Sequence, residues 1–330
     1  MKRTLLACAL TFALLGTPAH AVSDFIDDTA GYDPYMLPPD AQPQQQNPEG
    51  FTYTAPSNSY VPYIIPNELY YELLGPMKAE VGGSHLSVTN AKLTIPLSDP
   101  HRSGWRSWHL DAKIGVRMTW IESTGRNLVD LEHLYTVSGI VGVSRRLGTN
   151  GALSIGLSPQ YSSDVDQSSG HSFYLGGYAA YSARLNPDFT YSVGIACMPD
   201  YSNTWVLPLF QFSWNATPHW RLKFESTRLS YDNIASDRFH WGPFFQFISG
   251  TWAVKRDRQT QQFRWSSCAL GMGAAVNLTP RQVTKVYLKT DVGFTFANEA
   301  KFRSKNGNHD LDSYDYDPGF YLRVGLDLRF

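Results

Sequence analysis

The residues best suited to act on a solute are charged side chains that alternate with apolar ones along several segments. Thirteen share this alternation, nine cations and four acids: Asp111, Lys113, Arg117, Arg184, Lys223, Glu225, Arg264, Lys285, Lys289, Asp291, Arg323, Asp327 and Arg329. Successive side chains of a β-strand point to opposite faces, so a period of two would place these residues on one face. A water-filled interior lined in this way would favour anions, because cations are in excess. The same charges could instead pair across neighbouring strands and close the interior.

Four acids near the carboxy-terminal end, Asp310, Asp312, Asp315 and Asp317, are of the residue type that binds calcium. A calcium loop of the EF-hand kind needs glycine at its sixth position and glutamate at its twelfth. Counted from Asp310, those positions hold Asp315 and Tyr321. The sequence therefore predicts a solvated loop over 298–318, with no metal site and no cofactor.

The histidines and serines offer one candidate for a hydrolytic site, His240 with Ser249 or Ser266. A nucleophile and its base must lie within hydrogen-bond reach, and nothing in this spacing distinguishes the set from a chance arrangement. The sequence also contains no glycine-rich phosphate loop, zinc-ligand spacing or dinucleotide motif. We therefore predict that the chain is not an enzyme, and an outer-membrane lipid hydrolase is only the last alternative.

The elements that would position these residues are β-strands, and the carboxy-terminal segment shows them most clearly. From Gly319 to Phe330, apolar residues occupy every second position and polar ones the positions between. We predict similar strands near 79–97, 106–121, 133–145, 151–162, 172–185, 189–198, 204–214, 219–231, 238–254, 263–277, 283–296 and 319–330. Segments of this length suit tilted strands that cross a membrane. If 79–97 and 219–231 are each a short pair, there are 14 strands, and otherwise there are 12.

Composition agrees with a barrel that spans a membrane with strands. The mean hydropathy is −0.29 and no segment reaches the roughly 20 apolar residues of a membrane helix. A barrel strand presents apolar residues to lipid only at alternate positions, so its average looks soluble. The net charge of −1 argues against a nucleic-acid partner. Cys197 and Cys268 are expected on apolar strand faces, unpaired.

Three regions follow from the chain in order. Residues 1–21 have the charged start, apolar core and Ala19–Ala21 cleavage pattern of a signal peptide. Residues 22–77 are rich in Pro and Gln, and we predict a largely irregular periplasmic linker. Residues 78–330 form the predicted barrel, with short turns in the periplasm and longer loops outside.

Two resemblances narrow this prediction. Arg323, Gly325, Leu328 and Phe330 resemble the terminal strand that the outer-membrane assembly machinery reads. The glycine-laced hairpins from Gly139 to Pro159, with Leu207-Pro208-Leu209 and Arg228-Leu229-Ser230-Tyr231, are similar to a family of bacterial outer-membrane barrels known only as a domain of unknown function. The likeness covers roughly 79–330 and brings no catalytic or binding residues.

The sequence therefore predicts an all-β protein, an antiparallel transmembrane β-barrel of 12–14 strands in the outer membrane of a Gram-negative bacterium. A porin-like passive channel or solute-binding barrel with a mildly cationic lumen is the first functional hypothesis. The alternative is a closed structural or surface-interaction barrel that acts through the 298–318 loop. Expected partners are outer-membrane lipids, lipopolysaccharide, the barrel-assembly machinery and, for a channel, small solutes.

Overall fold

The computed structural model describes most of the chain from residue 67 onward. The described residues are 45–46, 52–53, 67–80, 83–97, 109–124, 129, 131–147, 150–164, 172–199, 204–225, 227–234, 236, 238–256, 258–279, 285–304 and 309–329. Among them there is no helix that is long and apolar enough to cross a membrane. The predicted signal peptide and nearly all of the predicted linker up to residue 66 lie outside the described residues.

The described elements are all strands. A two-residue pair, β1 (Gln45–Gln46) and β2 (Thr52–Tyr53), precedes the main sheet. The main sheet contains β3 (Asn67–Lys78), β4 (His85–Pro96), β5 (His109–Thr124), β6 (His133–Leu147), β7 (Gly151–Asp164), β8 (Phe173–Asn186), β9 (Phe189–Pro199), β10 (Thr204–Thr217), β11 (Trp220–Glu225), β12 (Arg228–Asn233), β13 (Phe239–Arg256), β14 (Gln259–Asn277), β15 (Lys285–Arg303), β16 (Asp310–Tyr316) and β17 (Gly319–Arg329).

These 15 strands close into a ring, a β-barrel in which sequential neighbours pair antiparallel. The ring closes where β17 pairs with β3 on one side and with β15 on the other. β16 and β17 pair with successive parts of β15, so they share one place and the ring has 14 positions. This count is the upper limit of the predicted range, and 219–231 is the short pair β11–β12 that the larger count requires.

Three boundaries differ from the prediction. β3 occupies residues that were assigned to the irregular linker, so the linker prediction was wrong for residues 67–77. Pro76 interrupts the alternating pattern by which a strand is recognised. In the structure, Gly75 and Pro76 form a bulge where the pairing of β3 with β4 shifts. β4 is one unbroken strand, so of the two alternatives for 79–97 the short pair was wrong, and the fourteenth position is supplied by β3 instead. Finally, 298–318 is mostly the hairpin of β15 and β16 rather than a loop.

The barrel has two different ends. The turn end carries the connections after β4, β6, β8, β10, β12 and β14, together with the start of β3 and the end of β17. The loop end carries the connections after β3, β5, β7, β9, β11, β13 and β15. The first strand, β3, therefore begins at the turn end and the last strand, β17, ends there. This is expected for an even number of antiparallel positions.

The outer surface carries an apolar belt. Along β5, Met118 is 51% exposed whereas its neighbour Arg117 is 6% exposed. Along β15, Phe294 is 49% exposed and Asp291 is 6% exposed. Exposed apolar residues recur on the outward face around the ring: Leu69, Leu93, Ile114, Val141, Ile155, Leu175, Ile195, Phe210, Leu229, Trp241, Met272 and Val324. Cys197 and Cys268 lie on this face as free thiols.

At the loop end, β7 contacts β13 in addition to its sequence neighbours β6 and β8. The last residues of β7 meet β13 in a parallel bridge at Ser163 and Ala253. The Ser162 and Ser163 hydroxyls donate to the carbonyls of Thr251 (2.9 Å) and Ala253 (3.2 Å). The Lys255 amide donates to Asp164 Oδ2 at 2.7 Å. We call this contact the seam; it joins β7 directly to β13, although β8 to β12 separate these two strands around the ring.

Candidate functional site: the barrel interior

The interior at the loop end is filled by apolar side chains. This loop-end core combines residues from both walls: Leu74, Met77, Leu86, Val88, Ile121, Leu134, Phe244, Ile248, Trp252, Val254, Phe263, Trp265, Phe302, Tyr316 and Tyr321. Phe263 packs between Trp252 and Phe302, with ring centroids 5.9 and 5.1 Å away. Each of these three side chains is at most 2% exposed. Ile121 of β5 and Leu134 of β6, across the ring from β13, belong to the same cluster, so the core spans the interior at this end.

Charged and aromatic groups cover the apolar core on the side of the loop end. Arg256 lies over the ring of Phe302 at 4.3 Å and donates to Asp312 Oδ2 at 2.5 Å. Burial lowers the pKa of Arg256, but hydrogen bonds to Asp312 and Tyr314 outweigh it, so the pKa is raised overall. Burial also raises the pKa of Tyr316 to about 12, so this phenol stays neutral. An ion pair thus covers the apolar core.

A polar network lies across the interior on the turn-end side of this core. Arg228 donates to both carboxylate oxygens of Asp291, at 2.7 and 3.0 Å, and to Gln246 at 3.3 Å. The Tyr321 hydroxyl donates to Glu72 Oε1 at 2.9 Å. We call these five residues, with Asn90, the crossbar. Asn90 donates to Glu72 at 2.9 Å and accepts a bond from the Thr119 hydroxyl at 2.7 Å.

The crossbar joins strands that are not neighbours, and glycine makes this possible. Arg228 on β12 must pass β13 and β14 to reach Asp291 on β15. Its guanidinium lies 4.3 Å above the ring of Phe244 and beside Gly273. A Cβ at Gly273 would stand 2.5 Å from Asp291 Oδ1 and 3.1 Å from Arg228 Nη2. With any other residue at this position, the Asp291 carboxylate would have to shift away from its present place in the ion pair.

Many of the predicted interior charges fall into local pairs. Asp111 accepts a hydrogen bond from Ser144 at 2.6 Å. Lys223 pairs with Glu225, and Lys289 pairs with Asp327 at 2.6 Å. Arg184 donates to the turn carbonyls of Asn186 and Pro187 at 3.2 and 3.0 Å. Acids and carbonyls of the barrel therefore already hold several of the cations.

The other predicted residues have different placements. Lys113 and Arg117 are buried on the inner face, and Arg323 lies 4.0 Å from the ring of Tyr70. Gly325 pairs with Tyr70, and a Cβ there would stand 2.7 Å from that of Tyr70. The side chains of Lys285, Leu328 and Arg329 and the whole of Phe330 lie outside the described residues.

Arg264 was placed wrongly. It alternates with Phe263 and Trp265, which are buried in the loop-end core, so Arg264 lies on the outward face opposite Lys301. A period of two shows that two faces differ but does not show which face is inside. Beyond the apolar belt of β14 and β15, the outward face is charged and the inward face is apolar, which is the reverse of the arrangement within the belt. A register shift at Ser266–Cys268 marks this point. Charge there faces outward and the interior is apolar.

Several interior residues were missed by sequence reasoning. Glu72 and Tyr70 lie in the segment read as linker, and Arg228 follows the turn inside 219–231, where the charge was not assigned to the interior. Below the loop-end core, the described inner face carries nine cations, Lys92, Lys113, Arg117, Arg184, Arg221, Lys223, Arg228, Lys289 and Arg323. It carries six acids, Glu72, Asp111, Glu225, Asp232, Asp291 and Asp327. Among the described residues, this part of the inner face therefore has three more cations than acids.

The hydrolytic set proposed from the sequence is not brought together. His240 is on the inner face near the turn end, with its ring 6.0 Å from that of Tyr287. Ser249 and Ser266 pair with each other farther along β13 and β14, on the outward face. No group of three metal-ligating side chains occurs among the described residues.

Comparison with known proteins identifies the family. The family model described as "Domain of unknown function (DUF6268)" matches residues 69–329. The chain belongs to this family. No curated protein matches this DUF6268 member.

Solved structures similar to this DUF6268 chain are distant. The Pseudomonas putida toluene transporter TodX is 9% identical, with 80% of this chain and 88% of that chain covered and a TM-score of 0.30. A mutant porin of Rh. blastica is 10% identical, with 81% and 100% covered and a TM-score of 0.24. The Escherichia coli outer-membrane protease OmpT is 11% identical, with 80% and 94% covered and a TM-score of 0.21. These likenesses are weak, and the fold described above rests on the strand pairing.

Proposed function

We propose that this DUF6268 chain is an integral outer-membrane β-barrel that is closed along its axis. The apolar belt supports the membrane location, because soluble proteins rarely expose so continuous an apolar surface. Along β5, Ile114 and Val116 are 40% and 37% exposed, whereas Lys113 and Arg117 are 4% and 6% exposed. This alternation is what lipid outside the barrel and polar groups inside it require.

The closed axis is carried by one observation, the loop-end core. Trp252, Phe263 and Phe302 form a row on the adjacent strands β13 to β15, and this row belongs to one buried cluster with Ile121 of β5 and Leu134 of β6 on the other side of the ring. The Arg117 guanidinium of β5 also lies 5.4 Å from the Trp252 ring, and the crossbar spans the interior on the side of the turn end. A water-filled path would need these apolar side chains to separate. The alternative of a closed structural or surface-interaction barrel therefore becomes the first proposal, with the β15–β16 hairpin as the surface that it displays.

Planar-bilayer recording of the refolded full-length protein tests this proposal. We expect no steady current from the unchanged chain. Trp265→Ala combined with Phe302→Ala removes two large core side chains, and we expect current or frequent openings from this variant. Phe294→Ala is the matched control, because it shortens an aromatic side chain on the outward belt. A steady current from the unchanged chain would reject the closed barrel.

A passive channel or solute-binding barrel with a mildly cationic lumen is the second candidate. The excess of three cations on the described inner face favours it, since cations attract anionic solutes. In this candidate the loop-end core must move aside for passage. The reversal potential in a salt gradient tests it, because a cationic lumen should make any current anion-selective, and cation selectivity would contradict it.

The proposed partners follow from the outer surface. Lipids would cover the belt, and lipopolysaccharide would contact the charged outward face above it, where Arg264 and Lys301 lie opposite each other on β14 and β15. The assembly machinery would read β17. We propose no catalytic role, because His240 and the two serines lie on opposite faces of the sheet.

A further inference from the structure

The segment before the barrel starts at the mouth of its interior. β3 begins at Asn67, which pairs with Leu328 at the turn end. Residues 22–66 precede it and are more than twice as long as the longest strands, which have 19 residues. The segment is therefore long enough to enter the interior and return.

All charged side chains of this segment are negative. Residues 22–66 contain six acids and no Lys, Arg or His: Asp24, Asp27, Asp28, Asp33, Asp40 and Glu49. Oppositely charged surfaces attract over about a Debye length, roughly 8–10 Å at physiological salt. A segment tethered at the mouth is held near that range, which raises its effective concentration at the inner face.

The inner face has the complementary charge. Lys92 and Arg117 are partners across β4 and β5, and Lys113 is on the same face of β5. Nearer the turn end, the Lys289 side chain is 43% exposed although it pairs with Asp327. The hydroxyls of Thr94 and Ser158, both buried, have no hydrogen-bond partner among the described residues. Such hydroxyls can donate to a carboxylate or a peptide carbonyl.

We propose that residues 22–66 dock inside the turn-end half of the barrel, with their acids against the inner-face cations. The inference goes beyond the closed axis, which depends on the loop-end core alone. It assigns the chain's own segment, rather than a solute, as the occupant of the cationic half.

Carbodiimide coupling of the full-length protein in detergent tests the proposal, because it joins a carboxylate to a lysine only when the two are in contact. We expect mass spectrometry to find peptides of 22–66 joined to Lys289 or Lys223, with a yield that falls several-fold at high salt. Lys289→Arg keeps the positive charge but removes the reactive amine, so it should abolish the cross-links at residue 289 only. Lys301, on the outward face of β15, is the control lysine and should give none.

Replacing the six acids by their amides (D24N, D27N, D28N, D33N, D40N and E49Q) should abolish the joints. The proposal is overturned if the acids couple to no inner-face lysine, or couple to Lys301 as often as to Lys289. These results do not depend on conduction, so an open pore would reject the closed axis and leave this inference standing.

Discussion

Arg228 and Asp291 form a two-pronged ion pair across the barrel interior, with N–O distances of 2.7 and 3.0 Å. The two strands that carry them are separated by β13 and β14, so the pair ties distant parts of the ring together. We expect Asp291→Asn to destabilise the barrel by about 3 kcal/mol, because breaking a buried pair leaves an uncompensated charge. Urea unfolding in detergent measures the change.

The matched control for that prediction is the Arg303–Asp310 pair, in which the Asp310 side chain is 51% exposed. Asp310→Asn should cost well under about 1 kcal/mol, since exposed pairs contribute little. Equal losses for the two variants would show that Arg228 and Asp291 do not hold the ring.

Gly273 should be as important as the pair that passes it. Gly273→Ala places a Cβ 2.5 Å from Asp291 Oδ1, so the pair must break or move. We expect a loss similar to that of Asp291→Asn, and little further loss when the two are combined, because both remove one interaction. Additive losses in this double-mutant cycle would contradict the shared cause.

The face assignment of β15 predicts opposite tolerance at adjacent positions. Leu288→Arg places a charge in the belt and should cost about 2–4 kcal/mol near the middle of the membrane. Lys289→Arg keeps an inward cation beside Asp327 and should be mild. Unfolding of both variants in lipid bilayers measures the difference, and equal damage would reverse the assignment.

The seam between β7 and β13 depends on few groups, and Asp164 is one of them. Asp164→Ala removes the acceptor of the Lys255 amide and should cost about 1–2 kcal/mol. Asp164→Asn retains an acceptor oxygen and should cost less. Faster amide exchange confined to the loop-end parts of β7 and β13 would locate the effect, whereas unchanged exchange there would dismiss the seam as a constraint.

Period-two patterning predicted most strands and the belt, because lipid imposes one apolar face on every strand that crosses it. This patterning failed in two places, beyond the apolar belt and in a strand interrupted by proline. Arg264 lies beyond the belt, where charge faces outward, and β3 carries Pro76 in a bulge that resembles a linker. The crossbar was beyond sequence reasoning, since Arg228 and Asp291 meet only after the ring has closed.

The seam also divides the loop-end rim of the barrel into two arcs. One arc is carried by β8 to β12, and the other by β3 to β6 and β14 to β17. In the proposed orientation, both arcs face the outside of the cell and are separated by the paired ends of β7 and β13. Antibodies, phages or proteases approaching the cell would therefore meet two separate surfaces, one on each side of this contact.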